Sequence, residues 1–302
     1  MDTYVIGHKN PDTDSVVSAI AAAELMGYKP AVAGDINKET ASVLNKLNVP
    51  IPETLSDISK KKVFLVDHNE SSQMADGADK AEIIGVLDHH KINFSSSAPI
   101  FFHAEPLGST CSIIAKTYMD EIKNHPLLAK LLLAGILADT IVFKSPTTTE
   151  EDKKIAHHLA PIAGIEDIIA YGIEIKSAIP AITGRDIKEV IVTDFKEFDM
   201  SGHKIGISAF EGMAELSEVE KRKPEIIAEL ERLKSEKGYE AVLFTATDII
   251  NEKSLVYFAG DRETIQLAFG MQAEKGDTFH FNGIISRKKQ VVPPLEEVFK
   301  TL

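Results

Sequence analysis

The run Val63-Phe64-Leu65-Val66-Asp67-His68-Asn69, followed closely by Ile83-Ile84-Gly85-Val86-Leu87-Asp88-His89-His90, decides the fold class. Each segment is a short unbroken apolar stretch, and each stops at an aspartate followed by histidine. Runs of this length, rich in β-branched residues, suit strands buried on both faces, as in a parallel sheet covered by helices. Tyr4-Val5-Ile6 is a shorter run of the same kind, ended by Gly7 and His8. Helical patterns lie between. In 14–26, Val16, Val17, Ile20 and Leu25 recur at helical spacing, and 37–47 is a second helix halted near Pro50. Beyond Pro106, helices are expected over about 109–122, 126–143 and 150–162.

The alternation gives an α/β class: an N-terminal, mostly parallel sheet flanked by helices, then a smaller α/β domain. Ser177–Asp186 contains Pro180 and Gly184, two structure breakers, so the boundary is placed there. The expected division is a first domain over 1–180, a linker over 181–188 and a second domain over 189–302. The second domain should hold strands at 190–193, 204–208, 241–244 and 255–258, and one long charged helix over about 217–237.

Composition narrows the function classes. The 302 residues carry 33 basic and 46 acidic side chains, a net charge of -13. That field repels nucleic-acid phosphates and anionic membranes unless a local basic patch overrides it. Trp is absent and aromatics make up 7%, so base stacking has little support. Cys111 is the only cysteine, which excludes an intramolecular disulfide and fits a reducing compartment. The N-terminus lacks the pattern of a signal peptide. Leu127–Leu137, the longest apolar run, is broken by Lys130 and too short for a bilayer. The expectation is a cytoplasmic protein without nucleic-acid or membrane partners.

Four places put Asp or His near strand ends, where parallel sheets bind ligands. They are His8 with Asp12 and Asp14, Asp67-His68, Asp88-His89-His90, and Asp139 at the end of an apolar helix. Each also reads as ordinary structure. Asp12 or Asp14 could cap a helix, Asp67 and the histidine pair could sit in solvated turns, and Asp139 could reach water. Taken together they supply at least four carboxylates and at least two imidazoles. Such oxygen-rich sites with some nitrogen favour Mn²⁺, Mg²⁺ or Co²⁺. Six ligands suit two ions about 3.5–4 Å apart, the arrangement used for phosphoryl hydrolysis.

His8-x3-Asp12-x-Asp14, Asp67-His68-Asn69, Asp88-His89-His90 and Asp139 resemble the motif series of the DHH phosphoesterases. Gly7–Asp14, Val66–Glu70, Phe143–Thr147 and Ser286–Gln290 further resemble the family II, manganese-dependent inorganic pyrophosphatases, over residues 7 to 290. The resemblance implies a DHH domain and a DHHA2-like domain. It implies two Mn²⁺ per active site, replaceable by Co²⁺ or Mg²⁺, with additional Mg²⁺ arriving with the substrate. His8 and Asp12 would hold one ion, Asp14 and His89 the other, with Asp67 bridging and Asp139 completing the set. His90, Lys196, Arg287 and Lys288 would contact inorganic diphosphate. The implied reaction is its hydrolysis to two phosphates by a hydroxide between the metals, in a homodimer, with substrate between the domains.

Beside that resemblance, Arg287, Lys288 and Lys289 read as a basic cluster next to a strand. A planar Arg fork and a Lys point charge would suit phosphate, and a plain basic edge strand would look the same. Lys221-Arg222-Lys223 reads as a solvated helix face. His68, His103, His125, His157, His158, His203 and His280 show no ligand pattern. Among rivals, a nucleic-acid-cleaving DHH hydrolase should carry a glycine-rich histidine motif that is missing here. An exopolyphosphatase would use the same metal site. A non-catalytic sensor should lack a ligand or a substrate cation, and none is missing.

Overall fold

The computed structural model describes residues 2–177, 182–212, 216–248, 251–274, 276–283 and 286–302. The chain divides into two compact units, Met1–Phe143 with Thr147–Ala178, and Lys144–Pro146 with Ile179–Leu302. Residues 178–181, on which the expected boundary falls, lie outside the described residues.

The first unit runs β1 (Thr3–Ile6), α1 (Thr13–Met26), β2 (Lys29–Val32), α2 (Lys38–Lys46), β3 (Glu53–Thr54), β4 (Lys62–Val66), β5 (Glu82–Asp88) and β6 (Phe101–Ala104). It continues with α3 (Thr110–Thr117), α4 (Met119–Ile122), α5 (Pro126–Asp139), α6 (Glu150–Ala163) and α7 (Ile168–Lys176). The strands form a six-stranded sheet in the order β3-β2-β1-β4-β5-β6, every pair parallel. The chain works outward from β1 to β3, then returns to lay β4 on the other side of β1. That reversal opens a crevice at the carboxyl ends of β1 and β4, the usual ligand position in such sheets. His8 follows β1 and Asp67 follows β4.

Local chemistry explains these elements. The Asp12 side chain caps α1 by accepting from Ser15 N at 3.0 Å, and Gly27, at φ 69°, closes the helix. Val63–Val66 are buried, as a central strand requires. Helix α5 is buried from Leu128 to Ala138 apart from Lys130, so it is a core helix. Among the described residues, no helix is long and apolar enough to cross a membrane. At Gly135 an added Cβ would collide with Cys111 Sγ, so only glycine lets α5 lie this close to α3.

Three expectations for this unit change. Helix α5 stops at Asp139, because Ile141, Val142 and Phe143 take left-handed backbone at φ 50°, 53° and 64°. Such angles are unusual for β-branched residues. The turn is held by Val142 N donating to Leu137 O at 2.8 Å and Thr140 Oγ1 donating to Ile136 O at 2.5 Å. The helix expected over 109–122 breaks at Tyr118 into α3 and α4. Strands β2, β3 and β6, and helix α7, were not expected; the strands are short and partly exposed, so no apolar run marks them.

The second unit runs α8 (Ile187–Thr193), β7 (Phe195–Met200), β8 (His203–Gly212), α9 (Leu216–Lys221), α10 (Lys223–Lys237) and β9 (Ala241–Asp248). It ends with β10 (Lys253–Ala259), α11 (Arg262–Phe269), β11 (Thr278–Asn282) and α12 (Val292–Phe299). Its five-stranded sheet has the order β11-β10-β9-β8-β7. Strands β8 and β9 pair parallel and the other pairs are antiparallel. Two apolar clusters pack around it, one including Val242, Phe244 and Leu230, the other Leu243, Phe279 and Leu295.

Here too the structure corrects the sequence. Residues 190–193 belong to a helix, not a strand: Asp186 caps it, and Ile187, Val190 and Ile191 are buried at helical spacing. The long helix breaks at Arg222, because Pro224 starts α10 without an amide donor. Lys221-Arg222-Lys223 is not a uniform solvated face. The Lys221 side chain is 69% exposed, but Arg222 donates to Ile182 O and Arg185 O at 2.9 and 2.6 Å. Lys223 pairs with Asp277 at 2.5 Å. Arg287–Val291 is a π-helical turn leading into α12, not a segment beside a strand.

Candidate metal centre

The six Asp and His residues expected to hold metal converge in the first unit. His8 Nε2 lies 3.4 Å from Asp12 Oδ2 and 3.4 Å from Asp67 Oδ2. His89 Nε2 lies 3.3 Å from Asp67 Oδ1 and 3.4 Å from Asp139 Oδ2. Asp67 therefore turns one oxygen toward each imidazole. Three sets of side chains each place ligand atoms within 4.8 Å of one another: His8, Asp12 and Asp67; Asp14, His89 and Asp139; and Asp67, His89 and His90.

The surroundings aim these atoms. His8 Nδ1 lies 2.6 Å from Lys9 O, and His89 Nδ1 lies 3.0 Å from Leu107 O. Each ring thus donates from Nδ1 to a carbonyl and leaves Nε2 directed inward, the usual outer-shell arrangement of a ligating histidine. Asp14 accepts from Thr110 N at 2.7 Å and Cys111 N at 3.0 Å, in the first turn of α3. Asp67, at φ 61°, also accepts from Thr110 Oγ1 at 2.9 Å. His8 N donates to Ser15 Oγ at 3.1 Å, and an added Cβ at Gly7 would collide with that oxygen.

The electrostatics ask for cations. Burial, then repulsion from Asp67 and Asp139, pushes the Asp14 carboxyl well above its ordinary range. Burial opposes charge on His8, yet attraction to Asp12 and hydrogen bonds to Asp12 and Asp67 outweigh it and raise the pKa to about 10. Burial likewise opposes charge on Asp67, but hydrogen bonds with His8 and His89 hold it well below the usual range. A field that crowds carboxylates and draws a proton onto a buried imidazole fits divalent ions, which would relieve the crowding and displace the proton. The donor set, carboxylate oxygens with imidazole nitrogens, suits Mn²⁺ and related ions.

Comparison with known proteins points the same way. The family model described as DHH family, N-terminal domain, matches residues 2–136, and the DHHA2 domain model matches residues 173–298. The manganese-dependent inorganic pyrophosphatase of Methanocaldococcus jannaschii is 42% identical, with 98% of this chain and 99% of that protein covered. The manganese-dependent inorganic pyrophosphatase of Methanothrix thermoacetophila is 41% identical, with 98% of each covered. The chain belongs to the manganese-dependent, family II inorganic pyrophosphatases. A solved Methanococcus jannaschii structure described as a family II inorganic pyrophosphatase superposes with a TM-score of 0.90 at 42% identity, over 99% of both chains.

Other residues extend the family site. His90 Nδ1 lies 2.8 Å from Asp88 Oδ1, and Asn69 Nδ2 donates to Asp88 Oδ2 at 2.6 Å. Asp88 is fully buried, and its carboxylate orients the His90 ring. His68, next to Asp67, is buried and neutral. Burial pulls its pKa down to about 4, and Nδ1 lies 2.8 Å from Val66 O. Sequence reasoning gave no roles to Asp88, Asn69 and Thr110. Asp88 and Asn69 stand inside quoted motifs, which was the available signal; Thr110 carries none, since only folding brings it to Asp14 and Asp67.

The expected phosphate cations belong to the second unit. Half-buried Lys196 lies on β7 opposite Ile207. Arg287 donates to Asp194 O and Asp194 Oδ1, both at 2.7 Å, which fixes its guanidinium. Lys288 is exposed on the same π-helical turn. Lys289 donates to Pro146 O at 2.7 Å, and Lys144 pairs with Glu252 at 3.0 Å, both within this unit.

Proposed function

We propose that this chain hydrolyses inorganic diphosphate to two phosphates, using two Mn²⁺ ions held in the first unit. The observation carrying this reading is the Asp67 carboxylate, whose two oxygens face separate His and Asp groups. Family membership supplies the substrate. His8 and Asp12 would hold one ion; Asp14, His89 and Asp139 the other; Asp67 both. Ions there would acidify bound water and neutralise phosphate oxygens. Co²⁺ or Mg²⁺ could replace Mn²⁺, and further Mg²⁺ would accompany the substrate.

The protein groups do the rest by position and charge. His90, fixed by Asp88 through Nδ1, can present Nε2 to a phosphate oxygen and hold or give a proton there. Lys196 and Lys288 supply point charges. Arg287 supplies the N–H groups that Asp194 and Ile207 O do not occupy. Lys144–Pro146 and Ile179–Leu302 form the substrate-binding unit in this reading. A cytoplasmic homodimer belongs to the same reading. The half-exposed Phe101 on edge strand β6 offers apolar surface to a second copy, testable by light scattering.

The test is phosphate release by chelated protein given back Mn²⁺, with diphosphate and long-chain polyphosphate compared. Restored turnover that favours diphosphate is expected. Metal-restored protein that leaves diphosphate intact rejects the proposal, and preferred cleavage of polyphosphate ends assigns the site to an exopolyphosphatase instead.

A further inference from the structure

Asp152 lies in the stretch 137–172, which neither family model covers, and it is fully buried. It stands at the third position of α6, where with Thr149 it forms a capping box. The Asp152 Oδ2 atom serves that box, accepting from Thr149 N at 2.8 Å and Thr149 Oγ1 at 2.6 Å. A helix cap needs nothing more. Yet Asp152 Oδ1 accepts from Ser112 Oγ at 2.5 Å, and Gly108 N donates to both oxygens at 3.0 and 2.9 Å. An added Cβ at Gly108 would meet this carboxylate and Thr140 Cγ2, so the loop closes tightly over Asp152.

The loop so gripped, 107–112, touches three of the six metal-facing residues. Leu107 O takes the His89 Nδ1 bond, Thr110 N and Cys111 N hold Asp14, and Thr110 Oγ1 holds Asp67. We propose that Asp152 is a positioning residue for the metal centre: it fixes the 107–112 turn, which in turn fixes His89, Asp14 and Asp67. It acts only through other residues. Hydrogen bonds that orient metal ligands typically change affinity by about 10- to 100-fold when lost. The inference rests on reading the site as a metal centre.

The experiment measures Mn²⁺ binding by the electron paramagnetic resonance of free Mn²⁺, and metal-free thermal midpoints, in four proteins. Wild type that binds no Mn²⁺ would overturn the metal reading itself, and this proposal with it. In Asp152→Asn one of the two accepting oxygens becomes an NH2 that cannot accept from the donors facing it, so affinity should fall about 10-fold or more. Thr149→Val removes the capping hydroxyl but leaves the bonds to Gly108 and Ser112. It should lower the midpoint and hold affinity within about twofold, as expected for a helix cap. Ser112→Ala keeps the carboxylate and removes the Ser112 bond to it, together with the bond Ser112 Oγ accepts from Ser109 Oγ, so it tests the idea if Asp152→Asn does not fold, with an intermediate loss of affinity expected. Wild-type affinity in Ser112→Ala and in folded Asp152→Asn would overturn the proposal while leaving the metal centre intact. Equal affinity losses in Thr149→Val and Asp152→Asn would reduce Asp152 to a helix cap.

Discussion

In the first unit Asp14, Asp67, Asp88 and Asp152 are each no more than 2% exposed, whereas in the second unit Lys288 and Lys289 stand at the surface. Topology accounts for the difference. Parallel strands finish at the same edge, so β1, β4 and β5 deliver His8, Asp67 and His89 to one place. The N-terminal turns of α1 and α3 add backbone donors around the carboxylates. In the mixed sheet of the second unit, neighbouring antiparallel strands finish at opposite edges, and its basic cluster comes from one turn of chain. A buried carboxylate cage is self-repelling until cations arrive. Surface cations stay hydrated and cost little before an anion arrives.

Changing Asp67 tests the buried side most severely. Asp67→Ala should weaken Mn²⁺ at both positions and lower diphosphate turnover on the order of 10³-fold or more, since it removes the shared ligand. Phosphate release and Mn²⁺ stoichiometry measure this, and full occupancy at both positions would refute the bridging assignment. Arg287→Ala probes the cations of the second unit. Mn²⁺ stoichiometry should stay at the wild-type value while kcat/KM falls on the order of 10²-fold, the scale of one lost charge-stabilising contact. Loss of metal in that variant would erase the distinction between the units.

The sequence displays the buried side more clearly than the accessible one. Unbroken runs such as Val63–Val66 mark central strands, and an Asp or His just beyond them marks the crevice. The 190–193 segment shows why the second unit is harder. Val190, Ile191, Val192 and Thr193 are β-branched and look like a strand, yet the capping Asp186 and burial of Ile187, Val190 and Ile191 make a helix. Packing there overrides local preference. The π-helical form of Arg287–Val291 has no periodic signature either. Nor does Thr110, whose hydroxyl reaches Asp67 across 43 residues.

His68 gives a smaller, pH-dependent test of the same burial. Its folded pKa of about 4 lies below the ordinary 6.5. Below 6.5 the unfolded chain takes up a proton that the buried ring refuses, so the stability it contributes is present above pH 6.5 and lost as pH falls toward 4. In metal-free protein, urea unfolding from pH 6.5 to 5 should cost wild type roughly 2 kcal/mol more than His68→Asn. Parallel pH profiles for the two proteins would mean that the ring is hydrated and the first unit less tightly closed.

The smallest effect belongs at the surface of the second unit, where Lys221 and Arg222 are neighbours in sequence but not in circumstance. The Lys221 side chain is 69% exposed and pairs with Glu218 at 2.5 Å, one turn away on α9. Water and salt screen such a pair, so Lys221→Ala should alter unfolding stability by no more than about 0.5 kcal/mol. Arg222 is 19% exposed and satisfies the carbonyls of Ile182 and Arg185, so Arg222→Ala should cost about 1–2 kcal/mol. Denaturant midpoints at low and high salt separate the two. If burial rather than charge sets the cost, added salt removes whatever Lys221 contributes and leaves the Arg222 effect in place. An equal salt response at both positions would show that even the half-buried guanidinium behaves as a surface charge.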